Sequence, residues 1–277
     1  MNKVALVTGA SSGIGRAIVL ALTAEGYTVY AAARRTERME DLRDKGVRTV
    51  RMDVTSKEDV KNGVDKIIKE NGRIDVLVNN AGFGSHGAVE DVSIQDAREQ
   101  LEVNVLGMVR ASQQVLPHMR EKGAGRIVNI SSIAGRTFSP MGGWYYASKH
   151  AVEALSDCMR VETKPFGIDV IVIQPGLIQT GFTDIALDNL MRRSGDGPYR
   201  HAAALVRDFY RSVYRYASGP EAVAKKVAKA LRKKRPAARY PVGRMARLML
   251  WARKWLPDRF FDRLYVGRMK KAKKAYQ

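Results

Sequence analysis

A glycine-rich turn between a strand and a helix constrains the fold of this chain more than any other feature. Residues 4–8 (VALVT) form a short apolar run typical of a buried strand, and residues 9–15 (GASSGIG) follow it directly. Ile14, Ile18 and Leu22 then share one face of a predicted helix. Glycines at such a junction let a pyrophosphate approach the backbone at the helix N-terminus, where free N–H groups and the helix dipole favour anions. The pattern is compatible either with a dinucleotide site or with a simple tight connection.

Apolar runs that recur along the chain predict the rest of the sheet. Further strands are expected at residues 28–33, 47–52, 74–78, 126–132, 168–173 and 239–243. Helical patterns lie between them, such as a polar amphipathic one at residues 56–70 and a basic one from Gly219 to Arg235. Strands that alternate with helices predict an α/β fold with a parallel, doubly wound sheet and right-handed crossovers. Ligands of such sheets bind beyond the carboxyl ends of the strands, where the motifs of this chain lie.

The residues that end the second and third strands indicate which nucleotide is bound. An acidic residue at the end of the second strand would grip the 2′-OH of NAD, but this chain has Arg34 and Arg35 there, with Arg38 close behind. Arginines at that place suit the 2′-phosphate of NADP, so the sequence favours NADP(H), although a solvated basic loop would look the same. Asp53 and Val54 end the third strand and are placed to reach the adenine.

Tyr145 and Lys149 are four residues apart, so on a helix they lie on one face. A nearby ammonium favours the phenolate and is expected to pull the pKa of Tyr145 towards neutrality, as general acid–base chemistry requires. Ser132 ends a predicted buried strand thirteen residues earlier and is placed to hold a carbonyl oxygen. These groups suit interconversion of an alcohol and a ketone. The alternative is a surface tyrosine packed against a lysine stem.

Several of these motifs together resemble the short-chain dehydrogenase/reductase family. They are Thr8-Gly-Ala-Ser-Ser-Gly-Ile-Gly15, Asn79-Asn-Ala-Gly82, Ser132 and Tyr145-x-x-x-Lys149, in the family's order and spacing. The resemblance covers residues 3–182 strongly and residues 183–240 loosely. It implies a Rossmann-type fold with about seven parallel strands, assembled as a homodimer or homotetramer.

The resemblance also implies roles for individual residues. Tyr145 would exchange the proton, Lys149 would lower the pKa of Tyr145 and bind the nicotinamide ribose, Ser132 would orient the substrate oxygen, and Asn104 would bind a water that links Lys149 to solvent. Ile178 and Thr180, after the Pro175-Gly176 turn, would meet the carboxamide of the nicotinamide. The full set of cofactor-binding candidates is Gly9, Ser11, Ser12, Gly13, Ile14, Gly15, Arg34, Arg35, Asp53, Val54, Asn80, Ala81, Gly82, Tyr145, Lys149, Pro175, Gly176, Ile178 and Thr180.

Cysteine and histidine content argues against a metal centre. The one cysteine, Cys158, excludes an internal disulfide and is expected to be a small buried packing residue. The four histidines (His86, His118, His150 and His201) have no metal-ligand spacing and are expected to be loop or surface residues, although His86 is close enough to the Asn79–Gly82 motif to approach the substrate. The chain begins directly with a predicted strand and has no run of eighteen apolar residues, so we expect a cytoplasmic protein.

Charge divides the chain unevenly. Residues 1–190 carry 23 basic and 23 acidic residues, so the whole net charge of +20 lies in residues 191–277. We expect a catalytic domain at residues 1–242, with a substrate lid at 183–217, and basic amphipathic helices at 243–277. Those helices suit contact with a membrane surface, docking on the enzyme's own body, or lining of the substrate mouth. No recognition motif accompanies the charge, so nucleic-acid binding is not expected.

Apolar and aromatic residues of the lid favour a bulky hydrophobic substrate. They include Phe182, Ile185, Leu187, Phe209, Tyr210 and Tyr214. The basic end, Arg34 and the loop after Gly82 make the chain most similar to the retinol and 17β-hydroxysteroid dehydrogenase-like branch, which implies a steroid, a retinoid or a long-chain lipid-like substrate. The alternative is a nucleotide-binding scaffold or sensor whose basic end binds membranes. The complete set of Asn104, Ser132, Tyr145 and Lys149 argues against it, because binding alone does not need Tyr145.

Overall fold

A seven-stranded sheet forms the centre of the molecule in the computed structural model, which describes residues 2–275. The strands are β1 (Val4–Thr8), β2 (Thr28–Ala33), β3 (Arg48–Arg51), β4 (Val76–Asn79), β5 (Gly125–Ile130), β6 (Ile168–Pro175) and β7 (Arg239–Val242). Their order is β3-β2-β1-β4-β5-β6-β7, and every pairing is parallel. The predicted doubly wound parallel sheet is confirmed.

Helices pack on both faces of this sheet, and others lie outside these layers. They are α1 (Gly13–Ala24), α2 (Glu40–Arg43), α3 (Lys57–Asn71), α4 (Ile94–Leu101), α5 (Gly107–Glu121), α6 (Gly143–Glu162), α7 (Phe182–Ser194), α8 (Arg200–Tyr214), α9 (Pro220–Arg232), α10 (Ala246–Trp255) and α11 (Asp258–Ala275). Helix α9 ends at Arg232 rather than at the expected Arg235, because Lys233 adopts an extended conformation (φ −73°, ψ 136°) and Pro236 follows.

Alternate residues of each strand face the two layers of helices. In β1, Ala5 and Val7 pack with α1 and α9 on one side, whereas Val4 and Leu6 pack with α3 and α5 on the other. Strands buried on both faces carry apolar residues in succession, which is why β1 and β4 are apolar up to their last residues, Thr8 and Asn79.

The strand order reverses between β1 and β4. From β1 the chain proceeds outward to β2 and β3, and then returns to place β4 on the other side of β1. In open α/β sheets, ligands bind in the crevice outside the carboxyl ends of the strands at this point. The Gly9–Gly15 turn follows β1 and the Asn80–Gly82 segment follows β4, so both nucleotide motifs border the crevice.

Four helices lie outside the sheet–helix core. The segment predicted to be the lid, residues 183–217, contains most of α7 and all of α8, which pack on each other. Helices α10 and α11 form the basic end. Helix α10 contacts β7, and α11 contacts α8. The division into residues 1–242 and 243–277 stays a prediction, and residues 276–277 lie outside the described residues. Between residues 2 and 275, no helix is long and apolar enough to cross a membrane.

Candidate active site

Helix α6 and the end of β5 bring the predicted catalytic side chains together. Tyr145 and Lys149 lie one turn apart on α6, and Ser132 follows β5. The Ser132 hydroxyl faces that of Tyr145 closely enough to act on its pKa, which it lowers. Ser132 Oγ is also held by the backbone, because it accepts from the N–H of Ala134 at 3.1 Å and donates to the carbonyl of Pro175 at 3.3 Å. Two hydroxyls fixed side by side can hold one carbonyl oxygen.

The expected lowering of the Tyr145 pKa by Lys149 is wrong for this structure. Burial raises the pKa of Tyr145 to about 12, against the opposing effect of the Ser132 hydroxyl. Lys149 Nζ lies 6.0 Å from the Tyr145 ring centre and donates instead to the carbonyl of Ile130 at 2.9 Å. Burial lowers the pKa of Lys149 to about 8, although the Glu153 carboxylate acts in the other direction. Tyr145 therefore holds its proton at neutral pH.

Asn104 lies in a π-helical turn, Glu102–Leu106, between α4 and α5. Its side-chain amide makes three hydrogen bonds: Oδ1 accepts from the N–H of Phe83 at 3.0 Å, and Nδ2 donates to the Phe83 carbonyl at 3.0 Å and to Ser148 Oγ at 3.1 Å. The side chain thus fixes the loop after Gly82 to α6. The sequence gives no sign of the π-helical turn, since its apolar pattern continues that of the helices on either side. Such turns are frequent at functional sites.

The glycine turn after β1 forms a cradle that side chains would fill. Gly9 has a φ of +65°, and a Cβ there would lie 2.7 Å from the Cα of Ala81. A Cβ on Gly15 would collide with the Gly9 carbonyl and with Asn80. Asn80 ties the two crevice loops together, because its Nδ2 donates to the carbonyls of Thr8 at 3.0 Å and Gly9 at 3.1 Å. The close backbone approach and the N-terminus of α1 fit the pyrophosphate of a dinucleotide.

The first residues of α1 complete this cradle. Ser12 precedes α1 with an extended backbone, and its side chain makes no capping hydrogen bond. Ser11 belongs to the same turn, and Ile14 packs against the core beneath it. The N–H groups at this helix end are therefore not satisfied by a Ser12 cap, which suits an anionic ligand.

The ends of β2 and β3 lie side by side at the adenosine end of the crevice. Arg34 is 67% exposed and its Nη1 lies 4.0 Å from the Asp53 carboxylate; Arg35 is also exposed. Burial alone would raise the pKa of Asp53, but hydrogen bonds from Thr55, with the charge of Arg34, hold it below its usual value. Val54 is buried beside Asp53. No acidic residue ends β2 itself.

The turn after β6 connects the crevice to the lid. Gly176 continues the pairing with β7 by donating to the Val242 carbonyl at 2.8 Å, and Ile178 pairs with Ser218. The N–H of Thr180 donates to the Tyr214 hydroxyl of α8 at 2.6 Å, and that hydroxyl donates to the Thr180 carbonyl. Thr180 also packs near Gly13. The lid is thus attached to the segment predicted to meet the nicotinamide.

Aromatic side chains enclose the Tyr145 ring. The nearest ring centres are those of Phe182 at 5.3 Å, His86 at 5.7 Å and Tyr146 at 6.0 Å. His86 is in a loop, as expected, but it is only 4% exposed rather than at the surface. Its burial follows from the closure of α7 and α8 over this loop, which the sequence pattern does not predict. The structure places the other three, His118, His150 and His201, on α5, α6 and α8.

Two further residues differ from expectation or were not expected. Cys158 lies on α6 as predicted but is exposed rather than buried, because it faces away from the sheet. Glu153, one turn after Lys149, is buried and accepts from Gln174 Nε2 at 3.0 Å and from Arg239 Nε at 2.8 Å. In the sequence, Glu153 could have been found from its position four residues after Lys149, which places both side chains on one face of α6. Among the described residues, no cluster of three His, Cys, Asp or Glu side chains is suited to a metal.

Comparison with known proteins places this site in a family. Residues 3–189 match the model of the short chain dehydrogenase family. The chain is 36% identical over 259 residues to the 3-ketodihydrosphingosine reductase of Bacteroides thetaiotaomicron, which covers 92% of this chain and 94% of that protein. It is 34% identical over 283 residues to the NADPH-dependent 3-dehydrocapnine reductase of Ornithobacterium rhinotracheale, covering 97% of this chain and 98% of that protein. The chain belongs to the short-chain dehydrogenase/reductase family.

Solved structures agree with this assignment. A short-chain dehydrogenase from Streptomyces avermitilis superposes with a TM-score of 0.81 and 32% identity, over 100% of this chain and 99% of that chain. A short-chain dehydrogenase/reductase from Burkholderia phymatum in complex with NAD superposes with a TM-score of 0.76 and 29% identity, over 86% and 88% of the two chains. The predicted family and Rossmann-type fold are confirmed, and the chain is an oxidoreductase of a family that binds nicotinamide cofactors. The retinol and 17β-hydroxysteroid branch stays a prediction.

Proposed function

We propose that this protein uses NADP(H) to interconvert a hydroxyl and a carbonyl group on a hydrophobic substrate. The observation that carries the proposal is the pair of neighbouring hydroxyls of Ser132 and Tyr145, half-buried beside Lys149 under the aromatic residues of the lid. A nicotinamide cofactor supplies or accepts the hydride, so the protein has to bind, orient and move a proton.

Tyr145 is the residue that transfers the proton. During reduction, Tyr145 Oη gives its proton to the carbonyl oxygen, while the Ser132 hydroxyl turns from the Pro175 carbonyl to donate a hydrogen bond to the same oxygen; during oxidation Tyr145 takes the proton back. Because the pKa of Tyr145 is about 12, the phenol carries at neutral pH the proton that reduction requires. Lys149, whose Nζ lies 6.0 Å from the ring centre, would act at the nicotinamide ribose rather than on the pKa of Tyr145. Asn104 supports this arrangement by fixing the Phe83 backbone to α6.

The cofactor-binding residues follow the crevice from the adenosine end to the nicotinamide end. Arg34 and Arg35 would hold the 2′-phosphate, Asp53 and Val54 the adenine, and the Gly9–Gly15 turn the pyrophosphate. Asn80, Ala81 and Gly82 would line the crevice at the next strand, Tyr145 and Lys149 would bind the nicotinamide ribose, and Pro175, Gly176, Ile178 and Thr180 would meet the carboxamide. NADP(H) is supported by the exposed guanidinium of Arg34 and by the relative named as NADPH-dependent, whereas a solved relative holds NAD.

The substrate side of the site is apolar. Phe182, Tyr146 and Tyr210 surround Tyr145 and His86, and helix α11 closes this region from outside through Tyr265, which donates to the Phe138 carbonyl at 2.8 Å. Two relatives carry names that give 3-ketodihydrosphingosine and 3-dehydrocapnine as their substrates. A lipid-like ketone fits these observations best within the predicted range of steroids, retinoids and long-chain lipids.

The basic end supports a peripheral position at a membrane surface for an otherwise cytoplasmic enzyme. The outward face of α10 carries Leu248, Trp251 and Trp255, and the two tryptophans are 59% and 64% exposed. Arg247 and Lys254 share this face. Exposed tryptophans among cations are typical of helices that lie in the interface of an anionic bilayer. Helix α11 links this face to the substrate side of the site, so the enzyme could take a lipid-like substrate from the bilayer.

Assembly as a homodimer or homotetramer is the remaining part of the proposal. Apolar side chains on the outer surfaces of α6 and its neighbours are exposed, among them Leu106, Leu155 and Val161. Such residues suit an interface between copies of the chain. The alternative, a nucleotide-binding scaffold, does not explain the Ser132–Tyr145 pair, because binding alone does not require these two hydroxyls.

Consumption of NADPH tests the proposal. Purified protein is given methyl ketones of increasing chain length and 3-ketodihydrosphingosine, with NADH in parallel. We expect turnover that rises with apolar length and is confined to NADPH. Absence of turnover with every ketone, in protein that binds NADPH, would favour the scaffold.

A further inference from the structure

His86 occupies a fixed place beside the Tyr145 hydroxyl-bearing ring. Its imidazole stacks on Tyr145 at an interplanar angle of 30° and meets Tyr210 of the lid edge-on, with ring centres 6.2 Å apart. The loop that carries His86 is held by Arg193 of α7, which donates to Ser85 Oγ at 2.7 Å and to the His86 carbonyl at 3.0 Å. Arg193 is itself anchored to Asp96 at 3.1 Å. The imidazole is therefore positioned by two separate elements of the fold.

One ring nitrogen of this imidazole lacks a hydrogen-bond partner within residues 2–275. Nδ1 of His86 is buried and has no hydrogen-bond partner among the described residues. Burial, assisted by the positive charge of Arg193, lowers the pKa of His86 to about 4, so the ring is neutral at physiological pH. A neutral imidazole offers one donor and one acceptor. Buried polar atoms are nearly always hydrogen-bonded, and an exception requires an explanation such as a ligand.

We propose that His86 hydrogen-bonds a second polar group of the substrate, a hydroxyl or amino group on a carbon next to the reacting carbonyl. The carbonyl oxygen has to lie at the Tyr145 and Ser132 hydroxyls, and the ring centre of His86 is 5.7 Å from that of Tyr145. A polar group one carbon away from the carbonyl is then close to the imidazole, while the apolar remainder of the substrate lies among the lid residues. His86 thus selects α-hydroxy or α-amino ketones over plain ketones. This inference rests on the proposed function and narrows its substrate class.

A merely structural role of His86 makes a different prediction. If the ring only fills space between Tyr145 and Tyr210, its replacement by another aromatic ring affects all ketones alike. If it binds a substrate group, the replacement affects only substrates that carry the group, because the unpaired partner is then buried without a hydrogen bond.

The test is a cycle of two substrates and two enzymes. The substrates are 1-hydroxy-2-dodecanone and 2-dodecanone, and the enzymes are the wild type and His86→Phe, with kcat/KM measured under NADPH saturation. We expect the wild type to prefer the hydroxy ketone and the ratio of the two kcat/KM values to fall about tenfold or more in His86→Phe. His86→Gln, which keeps a donor and an acceptor, should retain part of the preference. His150→Phe, an exposed histidine on the same helix as Tyr145, is the matched control and should leave the ratio at the wild-type value.

Two outcomes would overturn the inference: an equal loss of kcat/KM for both ketones in His86→Phe, or an unchanged ratio. If His86→Phe does not fold, His86→Leu takes its place. If the wild type reduces neither ketone, the proposed function fails, and calorimetric titration of both ketones into the NADPH-loaded protein decides the role of His86. Tighter binding of the hydroxy ketone by the wild type than by the variant supports the inference, and equal dissociation constants contradict it.

Discussion

The ammonium group of Lys149 lies 6.0 Å from the ring centre of Tyr145 and donates its hydrogen bond to the carbonyl of Ile130 at 2.9 Å. Burial disfavours the charged form of both side chains. It keeps the phenol of Tyr145 protonated and neutral, and it makes the positive charge of Lys149 destabilising. Such groups serve chemistry at the expense of stability.

Lys149→Met should stabilise the folded protein while abolishing turnover. Burial lowers the pKa of Lys149 from 10.5 to about 8, which corresponds to about 3 kcal/mol at neutral pH, offset by about 1 kcal/mol for the lost hydrogen bond to Ile130. Below pH 8 the lysine is charged in both the folded and the unfolded state, and the cost is complete. Between pH 8 and about 10.4 only the unfolded state keeps the proton, so the wild type gains stability as the pH rises.

Melting temperatures at pH 7 and pH 9.5 check the direction of this pH dependence. We expect Lys149→Met to melt about 5 °C above the wild type at pH 7, and this difference to shrink at pH 9.5. Lys69→Met, at an exposed position of α3, serves as the control and should show no pH-dependent difference. A variant that melts below the wild type at pH 7 would contradict the assigned cost of the buried charge.

Tyr145→Phe should lower kcat by a factor of about 10²–10⁴, because the proton donor is removed while the ring that packs on Phe182 and His86 remains. Binding of NADPH, followed by its fluorescence, should stay within about twofold of the wild type. Tyr146→Phe provides the comparison: it removes a hydroxyl that bonds to Tyr210 rather than to Ser132, and should cost less than about tenfold. Equal losses in the two variants would refute the assignment of the proton donor.

Glu153→Ala should destabilise the protein by about 3 kcal/mol. The carboxylate is buried and bonded to Gln174 and Arg239, so its removal leaves those partners unpaired between α6 and the sheet. Urea unfolding at pH 7 measures the change. Asp157→Ala is the control, because this carboxylate also meets Arg239 but is more exposed, and its loss should cost about 1 kcal/mol or less. Comparable losses in the two variants would mean that the burial of Glu153 does not increase its contribution to the free energy of unfolding.

The strands and most helices were predictable because their signals are local. Continuous apolar runs such as residues 4–8 and the amphipathic pattern at 56–70 indicate elements whose buried faces are fixed by period alone. The chemistry-bearing residues at the ends of β1, β4 and β5 were predictable for a related reason, since parallel strands bring their carboxyl ends to one edge of the sheet.

What the sequence did not predict depends on contacts between distant segments. Burial of His86 requires α7 and α8 to close over its loop, and the direction of the Lys149 ammonium is set by the carbonyl of Ile130 on a different strand. The π-helical turn at Asn104 could not be predicted from the sequence, because the hydrogen bonds of the Asn104 side chain to Phe83 and Ser148 join three distant segments of the chain. The pKa of Tyr145 was misjudged for the same reason: spacing shows which charge is near, but not how much water is excluded.

Arg34→Ala should raise the KM for NADPH about tenfold and change kcat/KM with NADH by less than about twofold. A charge-assisted hydrogen bond to a phosphate contributes about 1.5–3 kcal/mol, and only NADPH has a 2′-phosphate for this guanidinium to hold. Initial rates over a range of each cofactor give both values. Arg98→Ala, an exposed arginine of α4, controls for the loss of one positive charge. Equal changes for the two cofactors would remove Arg34 from the phosphate site.

The exposed face of α10 should carry the protein to anionic vesicles. Sedimentation with vesicles of phosphatidylcholine and phosphatidylglycerol should bring down the wild type, and vesicles of phosphatidylcholine alone should bring down less. Replacing Trp251 and Trp255 together by serine should weaken binding at least about tenfold, because each buries apolar surface in the interface. Arg247→Glu should weaken binding to anionic vesicles and reduce its dependence on salt.

Ile94→Ser is the matched control for the loss of exposed apolar surface, since Ile94 is 60% exposed but lies on α4. It should bind vesicles as the wild type does. The tryptophan variant should still reduce a water-soluble ketone at the wild-type rate, because Trp251 and Trp255 face solvent on α10, outside the ring of aromatic residues around Tyr145. Unaltered sedimentation of that variant would contradict the membrane proposal. A fall in its molar mass by light scattering, without any change in vesicle binding, would assign the same face to contact between two copies of the chain.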